Sequence, residues 1–476
     1  MAANLQVIKS ESTRSELQES FGRLHAASRG PVPGYDERLS DLKRLRDAFK
    51  EKLPQLLDAM EADFGQRSRH ESELADGLMV LKELDYQIKN LRANMRPERP
   101  PVGMALKPAR TEIRFQPLGV IGVIAPWNYP VQLALNPLIG AIAAGNRVMV
   151  KPSEHTPKTG HALAELLAAV FPADKVVTVL GGATTATAMT QLAFDHMVFT
   201  GSTEIGRKVM QACVPTLTPC TLELGGKSPV LITPEYPIEH VAERIVAGKC
   251  LNAGQTCIAP DYVFIDAARL EPFIAALRAR FARNYPDFAN TRDYTAVINE
   301  RQWQRLVAWR DEAAAAGARI EPMHKFESRE RRVMPLTLVI GAPDQTKIMQ
   351  EEIFGPLMIV VPYTRIDDTL AIIKSRPRPL AFYLFDRNTA RRDSILDQIV
   401  AGGVTVNDIL LHFGDSNLPV GGVGDSGMGA YHGETSFRTY SKATGTVYQA
   451  RFNTIGLFAP PYGKLQDWIL KFLRRV

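Results

Sequence analysis

Cysteine is scarce in this chain: 476 residues hold four, Cys213, Cys220, Cys250 and Cys257. None forms a C-x-x-C pair. That argues against a disulfide framework or a zinc ribbon and for a reducing, cytoplasmic setting. The nine histidines show no H-x-x-x-H or H-E-x-x-H spacing, so no metal site is expected. No run of 18 apolar residues occurs, so no membrane-spanning helix is expected. Met1 to Gln6 lead into polar and charged residues without an apolar segment, so no secretory signal is read. Excess charge is also lacking, with 57 Lys and Arg against 51 Asp and Glu. The clusters Arg329-Glu330-Arg331-Arg332 and Arg474-Arg475 are interrupted or very short, and no nucleic-acid face is expected.

What is present is a long, well-mixed chain, 45% apolar and 23% charged, which implies two or three domains with substantial cores. Residues 36–64 carry apolar side chains at three- and four-residue steps (Leu42, Leu45, Phe49, Leu53, Leu56, Met60), and 70–95 repeat the pattern until Pro97. Two scaffold helices are expected. Residues 102–117 alternate weakly, Met104 and Leu106 against Lys107, then Ile113 and Phe115 against Glu112 and Arg114. They read as an extended hairpin or arm, an oligomer contact or a monomer edge strand.

Then continuous apolar runs begin: Leu118–Ala125, Asn146–Val150, Val176–Leu180 and His196–Thr200 as strands, with helices near 136–144, 156–171 and 184–192 between them. That alternation predicts a doubly wound parallel sheet, with ligands outside the carboxyl ends of its strands. A second α/β pattern follows Glu223. It has strands at 229–232, 262–265, 332–340 and 357–361, and helices at 268–284, 299–316 and 367–374. From about 418 the tail is rich in glycine, then extended.

Several side chains could carry chemistry. Cys257 follows a turn-prone run, Asn252 to Thr256. A lone cysteine is usually an inert small hydrophobe; as a nucleophile it must reach the thiolate from a reference pKa of about 8.5. Glu223 lies among apolar and flexible neighbours, where a carboxyl has a raised pKa and can serve as a base. An exposed glutamate at a strand end is the other reading. Asn128 can donate to an oxyanion or set the turn before Pro130. Gly201 to Gly206 follows a strand and opens a helix, where pyrophosphate meets free amides, but it lacks a third glycine. Lys151 and Glu154 suit ribose hydroxyls or simply cap a helix.

These blocks resemble the NAD(P)-dependent aldehyde dehydrogenase superfamily from about residue 36 to 449. The match is carried by Pro126-Trp-Asn-Tyr-Pro130, Lys151-Pro-Ser-Glu154, Phe199-Thr-Gly-Ser-Thr203 with Gly206, Glu223-Leu-Gly-Gly-Lys-Ser-Pro229, Gly254-Gln-Thr-Cys257 and Glu351-Glu-Ile-Phe-Gly-Pro356. Asn252–Asp261 and Gly424–Gly433 look like the class 3 branch, which includes coniferyl-aldehyde and fatty-aldehyde dehydrogenases. One departure is Val420, where class 3 members usually carry Phe; it bears on substrate preference.

The resemblance implies an α/β fold with two doubly wound parallel-sheet domains and a small β oligomerisation arm. A Rossmann-like cofactor domain would span 1–98 and 118–224, a catalytic domain 225–417, the arm 99–117 and 428–448, and a tail with a short amphipathic helix 449–476. It implies Cys257, Glu223 and Asn128 as catalytic residues acting through a thiohemiacetal and a thioester. The implied cofactor contacts are Trp127, Lys151, Ser153, Glu154, Gly201, Ser202, Gly206, Leu224, Glu352 and Phe354. It implies a homodimer and NAD or NADP, with NAD favoured because Glu154 repels a 2′-phosphate. Coniferyl aldehyde is the first expected substrate, a medium- or long-chain fatty aldehyde the second. Another class of reading, a cysteine hydrolase or esterase using Cys257 and Glu223 without hydride transfer, is opposed by the strand-end clusters Lys151–Glu154 and Gly201–Gly206. The terminal stripe of Leu465, Trp468, Ile469, Phe472 and Leu473 would pack on the protein or a partner, cap a substrate tunnel, or touch a membrane surface.

Overall fold

Residues 13–103, 106–453, 456 and 459–474 are described by a computed structural model of the chain. The N-terminus read above, Met1 to Gln6, and Met104 lie outside them.

The strands at 118–200 form one sheet of six. Its order is Gly427–Met428, Cys220–Glu223, His196–Thr200, Val120–Ile124, Arg147–Lys151, Val176–Thr178. All neighbours are parallel except the first pair. The runs are apolar throughout because both faces are covered. Ile121, Val123, Val148 and Val150 pack toward the N-terminal helices. Val120, Ile124 and Met149 pack into the opposite core.

The second sheet has seven strands, in the order Gly403–Val406, Ala381–Phe385, Ser228–Ile232, Pro260–Asp266, Leu357–Tyr363, Thr337–Ile340, Arg319–Pro322. Only the last pair is antiparallel. Val230, Val263 and Tyr383 face one core, and Leu231, Tyr262 and Phe382 the other. This is the expected pair of parallel α/β sheets. Strand Thr337–Ile340 is shorter than 332–340: Arg332 is left-handed at φ 52°, Val333 bridges back to Ser328, and Pro335 has no N–H for the ladder.

The N-terminal layer holds Arg14–Ser28, Tyr35–Phe64, and a helix that runs from Arg69 to Asn94 through a π-turn at Glu73–Gly77. The first was not expected from apolar spacing, although Thr13 and Glu16 make a capping box at its start. The helix expected at 136–144 begins earlier, at Gln132. Asp76 Oδ1 accepts the backbone N–H of Val131 at 3.1 Å and of Gln132 at 2.9 Å, so a distant carboxylate sets that helix start.

Of the segment 102–117, Ile113 pairs back with Glu98 in an isolated antiparallel bridge. Arg110–Pro117 pairs antiparallel with Ser441–Tyr448, more than 300 residues away, from Arg110↔Tyr448 to Pro117↔Ser441. In the tail, the helix Lys464–Leu473 leaves Leu465, Trp468 and Phe472 exposed rather than packed on the chain. No helix among the described residues is long and apolar enough to cross a membrane.

Candidate active site

The strand registers bring two different edges together. Ile124, Lys151, Thr200 and Glu223 end their strands on the carboxyl edge of the six-stranded sheet. Ser228 and Pro260 begin theirs side by side on the amino edge of the seven-stranded sheet. Gly225, Gly226 and Lys227 bridge the edges, and Cys257 stands just before Pro260. Ligand-bearing loops at carboxyl ends therefore account for half of the site; the cysteine comes from the opposite kind of edge.

Between the edges lies a cleft of about 1000 Å³. Trp127, Asn128, Gly201, Ser202, Glu223, Leu224, Cys257, Glu352 and Phe354 all line it. Lys151, Ser153, Glu154 and Gly206 do not. Lys151 Nζ is instead turned to the Pro152 carbonyl at 3.1 Å and to Glu154 Oε2 at 3.2 Å. Gly206 is packed against Leu224, where a Cβ would collide with the leucine side chain.

The cysteine loop is tightly specified. Asn252, Ala253 and Gly254 are consecutive left-handed residues, at φ 50°, 52° and 72°. Such a run is costly for side-chain-bearing residues and needs external bonds to persist. Gln255 supplies them: its side-chain amide donates to the Asn252 and Ala296 carbonyls and accepts from Ile298 N–H. Glu71 accepts the Asn252 N–H at 3.1 Å and the Thr295 hydroxyl at 2.7 Å. Tyr129 and Thr256 hydroxyls meet at 2.6 Å, and Tyr383 donates to the Ile258 carbonyl at 2.6 Å.

Asn128 is held from both sides. Its carbonyl accepts Arg67 Nη1 at 2.8 Å and Asn252 Nδ2 at 3.0 Å. Its own Nδ2 donates to the Gln255 carbonyl at 3.2 Å. An amide has two N–H groups, so one remains for a ligand beside Cys257.

Burial, with Glu352 and Glu223 nearby, pushes the Cys257 thiol up to about 12. The thiol is protonated near neutrality and needs a base or a cation to react. Burial alone raises Glu223 well above the ordinary carboxyl range, and its Oε1 meets no partner among the described residues. Burial and Asp261 push Glu352 up to about 8, against the Gly226 N–H that stabilises its anion. Glu352 Oε1 is likewise unpartnered. Gly225 leaves room for this carboxyl, since any Cβ there would overlap it.

A dinucleotide fits this cleft. At one end is the N-terminus of the helix Thr203–Cys213, capped by Ser202 Oγ, which offers amides to phosphate. Along it are two buried carboxylate oxygens without partners and the ring pair Trp127–Phe354, with centroids 5.3 Å apart. Among the described residues no cluster of metal-binding side chains occurs.

Four supporting residues were given no role from the sequence, although Lys227 and Asp261 fall inside the blocks quoted above. Lys227 Nζ pairs with Asp261 and donates to the Ile348 carbonyl at 2.7 Å and the Glu351 carbonyl at 2.8 Å. Asp261 Oδ2 accepts Ile353 N–H at 2.8 Å. Together they clamp the loop that carries Glu352 and Phe354. Arg67 and Asp76 do the same for the Asn128 loop. Each pair is joined only in the fold, Arg67 with Asp76 and Lys227 with Asp261, so sequence spacing does not report it.

A second, smaller cavity shares Thr200, Glu223, Leu224 and Cys257 with the cleft. Its remaining walls are mostly apolar, among them Leu133, Ile258, Leu380, Phe413, Val420 and Tyr431, with His412.

Residues 33–445 match the model of the "Aldehyde dehydrogenase family". A Pseudomonas aeruginosa protein named "Probable coniferyl aldehyde dehydrogenase" is 45% identical over 469 residues, 98% of this chain and 98% of its own. The substrate-bound state of Staphylococcus aureus AldH has a TM-score of 0.91 at 32% identity, covering 96% of this chain and 99% of that one. Mycobacterium tuberculosis aldehyde dehydrogenase complexed with NAD+ has a TM-score of 0.83 at 25% identity, covering 92% and 91%.

Proposed function

The chain belongs to the aldehyde dehydrogenase family, and on that premise we propose that it oxidises an apolar or aromatic aldehyde, coniferyl aldehyde first, to the carboxylic acid. One observation carries the reading: Cys257, Asn128 and Glu223 border a single cleft that also reaches the helix N-terminus at Ser202. The name of the Pseudomonas aeruginosa relative supports the choice of aldehyde.

Cys257 Sγ attacks the aldehyde carbon. The free N–H of Asn128 and the Cys257 backbone N–H hold the oxyanion of the thiohemiacetal, and one such donor contributes about 3–4 kcal/mol in the transition state. A nicotinamide dinucleotide held in the cleft would supply the hydride acceptor needed to take the thiohemiacetal to the thioester, and a cationic ring there would offset the cost of the buried thiolate. Glu223 then takes a proton from the water that cleaves the thioester; its raised pKa makes its anion a strong base. Trp127, Gly201, Ser202, Leu224, Glu352 and Phe354 are the groups that would hold the cofactor, with Lys151, Ser153, Glu154 and Gly206 as their support at the strand ends. NAD is favoured over NADP by the charge of Glu154.

The same reading assigns 1–98 with 118–224 to the cofactor, 225–417 to catalysis, and 99–117 with 428–448 to pairing of two subunits in the cytoplasm. The paired strands Arg110–Pro117 and Ser441–Tyr448 join the two segments of that arm within one chain.

A panel of cinnamyl-type and aliphatic aldehydes, run with NAD+ and NADP+ and followed at the reduced-nicotinamide absorbance, tests the reading. Highest kcat/KM for cinnamyl-type aldehydes with NAD+ is expected. Preference for long aliphatic aldehydes would move the assignment to fatty aldehydes. Ester cleavage without any nicotinamide reduction would overturn the dehydrogenase itself.

A further inference from the structure

His412 stands apart from the apolar side chains of the smaller cavity. It is the only imidazole among that cavity's walls. Its ring lies over Gly403, where a Cβ would overlap Cδ2, so the glycine is what seats it. Its backbone N–H donates to Thr405 Oγ1 at 3.2 Å, and its Nδ1 is 2.9 Å from the same oxygen.

Those two contacts favour one tautomer, since the other would leave the Thr405 hydroxyl hydrogen without an acceptor among the described residues. Thr405 Oγ1 already accepts one hydrogen bond. Among the described residues its own hydroxyl hydrogen has one acceptor, His412 Nδ1. A neutral imidazole that accepts at Nδ1 carries its hydrogen on Nε2. Burial keeps the ring neutral by lowering its pKa to about 4. Nε2 meets no protein partner among the described residues, and so it is a donor with nothing to donate to, in a cavity bordered by Cys257.

We propose that His412 is a specificity-determining residue whose Nε2–H donates to an oxygen substituent on the substrate, of the kind a phenol or aryl ether carries. The inference rests on the reading of Cys257 as the nucleophile for an aldehyde. It adds that this small cavity, about 20 Å³ and so sized for one polar group rather than a ring, favours a substrate that places an oxygen there, because the Nε2–H gains a partner only from such a substrate.

The test is a selectivity ratio: kcat/KM for 4-hydroxy-3-methoxycinnamaldehyde over kcat/KM for cinnamaldehyde. His412→Phe keeps a flat ring and removes the donor; the ratio should fall about three- to tenfold, the loss of one net hydrogen bond. His412→Gln restores an N–H donor and should recover part of the ratio. Thr405→Val removes the hydroxyl that favours this tautomer and should lower the ratio as well, which keeps the test open if His412→Phe does not fold. A wild-type ratio in His412→Phe, or in Thr405→Val where the phenylalanine variant is insoluble, overturns the proposal. If the wild-type enzyme rejects both cinnamaldehydes, the aromatic reading fails separately. The same ratio is then taken between an ω-hydroxylated and a plain aliphatic aldehyde, with the same two outcomes.

Discussion

Arg67 Nη2 and Asp76 Oδ2 meet at 2.9 Å with their side chains 1% and 0% exposed. Both partners make further hydrogen bonds. Arg67 also donates to Ser72 Oγ and to the Asn128 carbonyl, and Asp76 accepts from Val131 and Gln132. A buried pair is weak evidence of stabilisation as a whole, but removing one partner strands the other's charge. Asp76→Ala should cost about 3–5 kcal/mol in urea unfolding. It should also lower kcat among the molecules that fold, since Arg67 would no longer be held against Asn128. A loss below 1 kcal/mol would show that water or another group satisfies Arg67.

Cys257→Ala should abolish both aldehyde oxidation and ester cleavage. Glu223→Gln should leave a first-turnover burst of reduced nicotinamide and stall the steady state. Because burial raises the Glu223 pKa, the wild-type steady-state rate should climb with pH above neutrality, as the base form becomes populated. The glutamine variant should lose that climb. A variant with an unchanged pH profile and rate would remove Glu223 from deacylation.

Glu71 links stability to pH. Burial, opposed by its bonds from Thr295 and Asn252, pushes its carboxyl up to about 7 from an ordinary 4.5. Between those values the folded chain keeps a proton that the unfolded chain has released. Its contribution is full below about 4.5, declines as pH rises, and levels off above 7. Glu71→Gln cannot titrate. Its urea midpoint should therefore gain on wild type between pH 5 and pH 8, by on the order of 1–2 kcal/mol after solvent screening. Parallel pH curves for the two proteins would show that Glu71 does not titrate in this window.

Two glycines beside the site should respond differently to a methyl group. Gly254 has φ +72°, and a Cβ there would run into the Gly355 carbonyl, which is backbone. Gly254→Ala should lose at least about 1–2 kcal/mol, with Cys257 displaced and activity reduced. At Gly225 the obstacle is the end of the Glu352 side chain, which can swing away. Gly225→Ala should unfold near the wild-type midpoint yet show a raised KM for the dinucleotide. Equal losses of stability at the two positions would contradict this account.

The strands of both sheets were legible where they are apolar on both faces, as at Val120–Ile124 and Leu357–Tyr363, because that burial leaves a continuous signature in the sequence. Ala381–Phe385 carries the same signature and went unread beside shorter neighbours. The proposed trio of Cys257, Glu223 and Asn128 was ambiguous residue by residue and was named through the set of blocks that carries the resemblance; the fold brings the three to one cleft. What spacing could not reveal were partnerships across the chain: Glu71 with Asn252, Lys227 with Asp261, and Thr405 with His412. Each joins common residue types whose meaning exists only after folding. For the strand Arg110–Pro117 the alternation was visible, but its partner at Ser441–Tyr448 was indicated only by the resemblance, which joined 99–117 and 428–448 in one arm.

The cleft and the smaller cavity have four wall residues in common, Thr200, Glu223, Leu224 and Cys257. The sulfur thus stands at a waist between two chambers. A bulkier side chain in place of Thr200 or Leu224 would therefore narrow both spaces at once, so neither can be reshaped alone from this shared wall.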